Sequence, residues 1–218
     1  MKRTRGQRRD TELEPIRRRA SKAKVAATRL RLIAGTHGGR KIDYNGDPGT
    51  RPMKERTREA VFSLLGGYLS GTLAIDLFGG TGILAFEAVS RGAQRGLILE
   101  MARPAVATIL SNMRALGLSE QIEVHNVDTL RWLRNLDSVR VAWPEIPWVV
   151  FCCPPYRLWT SDGERLCAGL LALYAACPSG SQFICETEHD FDIPAAMPQV
   201  TWDVRHYSPA YISVARKP

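Results

Sequence analysis

The sequence has no apolar run approaching the ~18 residues of a membrane-spanning helix, which excludes an integral membrane protein built on such helices. Its first residues are polar and basic with no apolar stretch behind them, so no secretory leader is expected. Cysteine is sparse and odd in number: Cys152, Cys153, Cys167, Cys177 and Cys185, all in the last third of the chain. There is no C-x-x-C pair of the kind that holds zinc, and no secreted context for a disulfide framework. Reduced thiols in a cytoplasmic protein are the expectation. The chain also lacks internal repeats and any composition break that would mark a second folded domain.

What is present is an ordinary globular balance over 218 residues, with 44% hydrophobic and 24% charged residues, enough for one packed core. The net charge of +8 is uneven. Residues 1–31 hold twelve Lys and Arg against three Asp and Glu, whereas residues 32–218 hold eighteen against nineteen. The basic character therefore belongs to a 1–29 arm with few large apolar residues, for which disorder is expected. Clustered Arg and Lys suit weak, sequence-indifferent contact with nucleic-acid phosphates. Residues 30–218 are expected to form the single folded domain.

Within that domain, 30–35 reads as a short strand, followed by a Gly/Pro-rich connection to Arg51-Pro52. Helical spacing of Ala60, Val61, Leu64 and Leu65 predicts an amphipathic helix over 55–65. Short, nearly continuous apolar runs follow at 72–77, 96–100, 121–125, 146–152 and 181–186. Helix-like segments lie between them at 83–91, 103–116, 129–136 and 163–175. This alternation predicts an α/β fold with a mostly parallel sheet and helices on both faces. Segments 200–206 and 210–215 leave no room for a helix between them, so an antiparallel hairpin on one sheet edge is expected.

Two motifs carry chemistry. The first is Asp76-Leu77-Phe78-Gly79-Gly80-Thr81-Gly82, at the end of the first strand of the alternation. Glycines there permit positive φ and close approach of a ligand to the backbone, with a helix N-terminus behind them. Glu100 follows Gly80 by twenty residues at the next strand end, where a carboxylate accepts from ribose hydroxyls. Asp76 decides between cofactors: a carboxylate beside a pyrophosphate repels it, whereas S-adenosylmethionine brings cationic ammonium and sulfonium groups. An NAD-dependent oxidoreductase is disfavoured on that ground and by the lack of a substrate domain. Asp128, near the third strand end, either accepts from an adenine amino group or caps the helix that starts at Thr129, or does both.

The second motif is Phe151-Cys152-Cys153-Pro154-Pro155-Tyr156, at the fourth strand end and hence on the same sheet edge. Two prolines stiffen the turn, and Tyr156 offers a face on which a base stacks.

Together the motifs resemble the amino-group methyltransferases with an Asp/Asn-Pro-Pro-Tyr/Phe signature. More narrowly the chain, from about Leu30 to Lys217, is similar to the RsmD-like small-subunit ribosomal RNA guanine-N2 methyltransferases. Further matching residues are Arg31-Leu32-Ile33-Ala34-Gly35, Gly39-Arg40-Lys41, Arg51-Pro52, Arg56-x-Arg58-Glu59-Ala60-Val61-Phe62 and Leu84-x-x-Glu87-Ala88-x-Ser90-Arg91-Gly92-Ala93. The resemblance implies a Rossmann-like seven-stranded methyltransferase sheet, S-adenosylmethionine as cofactor and N2-methylguanosine in small-subunit rRNA as product. It implies cofactor contacts from Asp76, Phe78, Gly79, Gly80, Gly82, Glu100, Met101, Asp128 and Thr129, and a base site at Cys153, Pro154, Pro155 and Tyr156. Arg51, Arg56 and Arg58 are placed at an RNA-facing entrance. The partner implied is ribosomal RNA or the small ribosomal subunit, met by a monomer without metal or membrane.

One position departs from the pattern. The signature begins with Asp or Asn, whose side chain accepts from the exocyclic amine; here it is Cys153, a weak acceptor when neutral. Losing such an oriented hydrogen bond costs about tenfold to a hundredfold in rate. A slow enzyme, a changed target atom and an RNA-binding relative without turnover are the alternatives this leaves. A cysteine nucleophile for pyrimidine C5 methylation is disfavoured by the motif order. The hairpin reads Tyr207-Ser208-Pro209 where the family carries a glycine after an aromatic, a change without a physical account.

Overall fold

The apolar runs form the strands of a seven-stranded sheet in a computed structural model that describes residues 28–47, 50–136 and 146–218. The basic arm over 1–27 lies outside the described residues. The elements in chain order are β1 (Thr28–Arg31), β2 (Lys41–Tyr44), α1 (Glu55–Leu64), β3 (Leu73–Asp76), α2 (Ile83–Ser90), β4 (Arg95–Glu100), α3 (Arg103–Leu116), β5 (Ile122–Asn126), α4 (Thr129–Trp132), β6 (Trp148–Cys152), α5 (Arg157–Ala176), β7 (Gln182–Thr187), α6 (Ile193–Ala196), β8 (Trp202–Tyr207) and β9 (Ala210–Arg216).

The large sheet has the order β5-β4-β3-β6-β7-β9-β8. Strands β3 to β7 are parallel, and β9 runs antiparallel between β7 and β8. The fold is thus the expected one, with the hairpin closing one edge through Ser208-Pro209, whose peptide bond is cis. Chain order reverses between β3 and β6: β4 and β5 step away on one side, and β6 returns to the other. In open parallel sheets such a reversal is where a ligand crevice forms, outside the carboxyl ends of the strands.

Alternate residues of the central strands point to opposite faces. Ala74, Ile98, Val149 and Phe151 join Phe62, Phe86 and Ile109 from α1, α2 and α3 in one core. Leu73, Ile75, Leu99, Val150 and Cys185 join Trp132, Leu166 and Leu170 from α4 and α5 in the other. Both faces are covered, which is why these strands read as apolar runs rather than as alternating ones.

Several segments differ from the sequence expectation. β1 spans Thr28–Arg31 rather than 30–35, so its first two residues come from the stretch read as the basic arm. The short α6 has no counterpart in the expected pattern. β2 pairs antiparallel with β1 inside what reads as a connection, because Asn112 of α3 clasps it: Asp43 N–H donates to Asn112 Oδ1 at 2.9 Å and Asn112 Nδ2 donates to Asp43 O at 2.8 Å. A distant side chain supplies hydrogen bonds that no local pattern announces. α4 is confined to Thr129–Trp132 rather than extending to 136. α5 starts at Arg157, six residues earlier than its apolar periodicity suggests, and carries a non-helical residue at Asp162 (φ −137°, ψ 21°). The first turn of α5 is polar outside yet anchored by buried Trp159, whose indole N–H donates to Glu186 O at 2.9 Å.

A buried staple fixes the N-terminal hairpin to this body. Glu87, fully buried in α2, accepts from Ile33 N–H at 2.7 Å, Ala34 N–H at 3.0 Å and Arg91 Nε at 2.8 Å. Arg58 Nε lies 4.0 Å from the same carboxylate, and its terminal nitrogens donate to the carbonyls of Arg31 and Met53. Gly35 has φ +79°, and a Cβ there would lie 1.7 Å from Ser90 O, so only glycine fits against α2.

Candidate active site

The carboxyl edge of the sheet gathers residues from five strands. Asp76 ends β3 and is 1% exposed. Its Oδ1 accepts a long hydrogen bond from Phe78 N–H at 3.4 Å, while its buried Oδ2 has no partner. Burial pushes this carboxyl from 3.8 up to about 7, with the Phe78 N–H pulling it down and the Glu100 charge adding to the rise. A buried, unpartnered carboxylate oxygen is costly to maintain, and it fits a cationic ligand group that would complete it.

The glycine loop wraps beside Asp76. Gly79 N–H donates to Leu99 O at 2.8 Å, and Gly80 N–H donates to Glu100 Oε2 at 2.8 Å. A Cβ on Gly79 would sit 2.4 Å from Ile98 Cγ2, so this residue lets the loop lie flat on β4. Gly80 and Gly82 take positive φ of +54° and +76°, and Thr50 packs over Gly80. Gly82 begins α2, so the positive end of that helix faces the crevice.

Glu100 also accepts from Ala102 N–H at 2.7 Å through Oε1. Each of its oxygens therefore has one backbone donor and retains a second lone pair for a ribose hydroxyl. Met101 beside it is 68% exposed, an apolar surface at the crevice rim. Asp128 takes the capping role: its Oδ1 accepts from Arg131 N–H at 2.9 Å, and the side chain is exposed. Thr129 is turned inward, and its hydroxyl donates to Leu77 O, tying α4 to the end of β3. The expected cofactor contact of Thr129 thus corresponds to an internal tie.

Across the reversal, Phe151 pairs with Asp76, which brings the Cys153 turn against the glycine loop. Pro154 is buried and Pro155 exposed. Tyr156 is half-buried, and its hydroxyl donates to Glu186 Oε1 at 3.0 Å. Cys153 is partly exposed, and its thiol is held well above the ordinary cysteine range by burial first, then by the charges of Glu186 and Asp76. A thiolate there would face two carboxylates, so the neutral thiol is the stable form.

Of the arginines expected at the entrance, Arg51 and Arg56 are exposed. Burial raises both the Tyr156 hydroxyl and the Glu186 carboxyl, and the positive charge of Arg51 lies close enough to offset part of that rise in each. Arg58 corrects the expectation: it is 1% exposed and serves the Glu87 staple, so it cannot meet RNA. Its helical spacing from Arg56 gave the same appearance, but two residues further along α1 is the inward face. Glu186 was not anticipated. The signal was the carboxylate closing the apolar run 181–186, at the carboxyl end of a parallel strand.

Residues 30–207 match the family model described as Conserved hypothetical protein 95. The chain belongs to this family, the RsmD family. RsmD-like curated relatives include the ribosomal RNA small subunit methyltransferase D of Haemophilus influenzae, 34% identical over 129 residues that span 59% of this chain and 64% of that one. YlbH of Bacillus subtilis, provisionally named an rRNA methyltransferase, is 27% identical over 168 residues, 76% of this chain and 86% of its own length. Among solved structures, yhhF of Escherichia coli, provisionally named a methyltransferase, shares the fold with a TM-score of 0.68 at 23% identity, over 87% of this chain and 99% of that one. Among the described residues, no group of three or more His, Cys, Asp or Glu side chains is arranged to hold a metal ion, and no helix is long and apolar enough to cross a membrane.

Proposed function

We propose that this RsmD-like protein transfers a methyl group from S-adenosylmethionine to the exocyclic N2 amine of a guanine in small-subunit ribosomal RNA. The observation that carries the reading is the unpartnered, buried Asp76 carboxylate oxygen, set between the glycine loop and the Cys153-Pro-Pro-Tyr turn. The cofactor, when bound, supplies an electrophilic methyl group on a sulfonium. The residues of the chain fit it: Asp76 accepts from the ammonium of its methionine part, and Phe78, Gly79, Gly80 and Gly82 give the close backbone approach. Glu100 accepts from the ribose, and Met101 and Asp128 border the adenine. The names of related proteins support the same reading, including an RNA methyltransferase of Salinibacter ruber solved with S-adenosylhomocysteine, at 16% identity.

On the substrate side, a base extruded from its stack lies on Tyr156, whose ring is held by the hydroxyl bond to Glu186. The prolines keep that platform stiff, so orientation is the main service the turn provides. Arg51, Arg56 and the basic arm contact phosphates.

A second reading rests on Cys153. A neutral thiol between two carboxylates is a poor acceptor for the amine, which favours slow transfer or binding without turnover. It also weighs against a cysteine nucleophile, which needs the thiolate. The test is labelled-methyl transfer from S-adenosylmethionine to small ribosomal subunits lacking their own guanine methylation, with the modified position mapped. Methyl on a guanine N2 is expected. Intact cofactor binding without transfer would establish the second reading instead.

A further inference from the structure

The sheet places a second carboxylate on the base-facing side of the crevice, in register with Cys153. Strands β6 and β7 are parallel with Cys152 beside Cys185, so the next residues, Cys153 and Glu186, leave the sheet side by side. Cys185 and Thr187 are buried in the core, whereas Glu186 between them is partly exposed. Its backbone and side chain are both fixed from α5. Trp159 Nε1 donates to Glu186 O at 2.9 Å, and the Tyr156 hydroxyl donates to Glu186 Oε1 at 3.0 Å. Arg51 lies close by with the opposite charge. The carboxylate is therefore oriented, and it is tied to the ring on which a base would stack.

We propose that Glu186 is the residue that selects guanine, by accepting from the N1–H and N2–H donors of its Watson–Crick edge; this rests on the guanine-N2 reading above. An ionised carboxylate only accepts hydrogen bonds. Guanine presents two adjacent donors, N1–H and the N2 amine. Adenine and cytosine each set one donor beside a bare ring nitrogen, which a carboxylate oxygen repels, and uracil flanks its single N–H with carbonyls. Two carboxylate oxygens therefore match guanine alone. A site built around such a donor–acceptor match rejects an analogue lacking one partner far more strongly than an apolar pocket does. The same contact also holds the N2 amine beside Cys153, where the usual Asp or Asn acceptor is missing.

The test uses the full-length protein and small subunits reconstituted with either guanine or 2-aminopurine at the mapped position. 2-Aminopurine keeps the N2 amine but replaces N1–H by a bare nitrogen. The wild-type protein should prefer guanine by about a hundredfold in kcat/KM. Glu186→Gln, whose amide offers one acceptor and one donor, should lose about tenfold to a hundredfold on guanine and shift the preference at least tenfold towards 2-aminopurine. Its affinity for S-adenosylmethionine should be unchanged.

Equal wild-type rates on the two bases would overturn the assignment without any variant. So would a Glu186→Gln protein that slows both bases alike, the mark of a merely structural role, or one that leaves guanine transfer intact. Failure of the underlying reading shows separately, as absence of wild-type methyl from guanine N2 in the unsubstituted subunits.

Discussion

Asp76→Asn is expected to stabilise the cofactor-free protein while removing its affinity for the cofactor. Burial raises the Asp76 carboxyl from 3.8 to about 7, roughly three units, and each unit is about 1.4 kcal/mol. The ionised form therefore costs the folded state about 4 kcal/mol. Between about pH 4 and pH 7 the native protein holds a proton that the unfolded chain has released. Wild-type stability accordingly falls as pH rises through that window and levels off above it. Asparagine does not titrate, but its amide N–H2 inherits the position of Oδ2, which has no partner; that costs about 1–2 kcal/mol. The variant should then exceed wild type by about 2–3 kcal/mol at pH 8, or roughly 5–10 °C in melting temperature, with the gap closing at about pH 5 and the order reversing below it. Urea unfolding of both proteins at half-unit steps from pH 4.5 to 8.5 measures the difference directly, because other groups titrate alike in the two. S-adenosylmethionine should raise the melting temperature of wild type and leave that of the variant unmoved. Parallel stability curves, or a variant no more stable than wild type at pH 8, would refute the claim that Asp76 is buried without a partner.

Further outcomes follow from the same contacts. Cys153 should react with iodoacetamide at pH 8 at least tenfold more slowly than free cysteine, because burial and two carboxylates disfavour its thiolate. Cys153→Asn should raise methyl transfer by roughly tenfold by restoring a carbonyl acceptor, and Cys153→Asp by less, since its charge would lie between Asp76 and Glu186; the reverse order in single-turnover rates would overturn this. Arg58→Met should cost about 3 kcal/mol of stability by breaking the Glu87 staple and leave RNA affinity unchanged, whereas Arg56→Ala should weaken RNA binding without moving the melting temperature. Deleting residues 1–28 should flatten the dependence of log affinity on log salt by about 2 or more; an unchanged slope in filter binding would remove the arm from the RNA contact.

Much of the fold was legible because the central strands are covered on both faces. Runs such as Leu73–Asp76 and Trp148–Cys152 are therefore apolar throughout, and the helices between them keep their own period. Segments held by remote partners were not legible. β2 rests on the Asn112 clasp, and the first turn of α5 rests on Trp159 reaching Glu186. Arginine identity also misled where spacing was silent about direction: Arg56 faces out and Arg58 in, on one turn of α1.

For the site, Asp76 beside the glycine loop pointed to the cofactor class, and the two motifs in order carried the resemblance to the family. That they share one edge follows because each ends a strand of a parallel sheet. The sequence by itself thus determined which strand ends carry chemistry and that Cys153 breaks the signature. Only the tertiary structure decided what surrounds that cysteine. Whether a residue is charged, neutral or able to accept depends on burial and on neighbours from other strands: the β6–β7 register set Glu186 beside Cys153, and burial at the end of β3 left Asp76 Oδ2 without a partner.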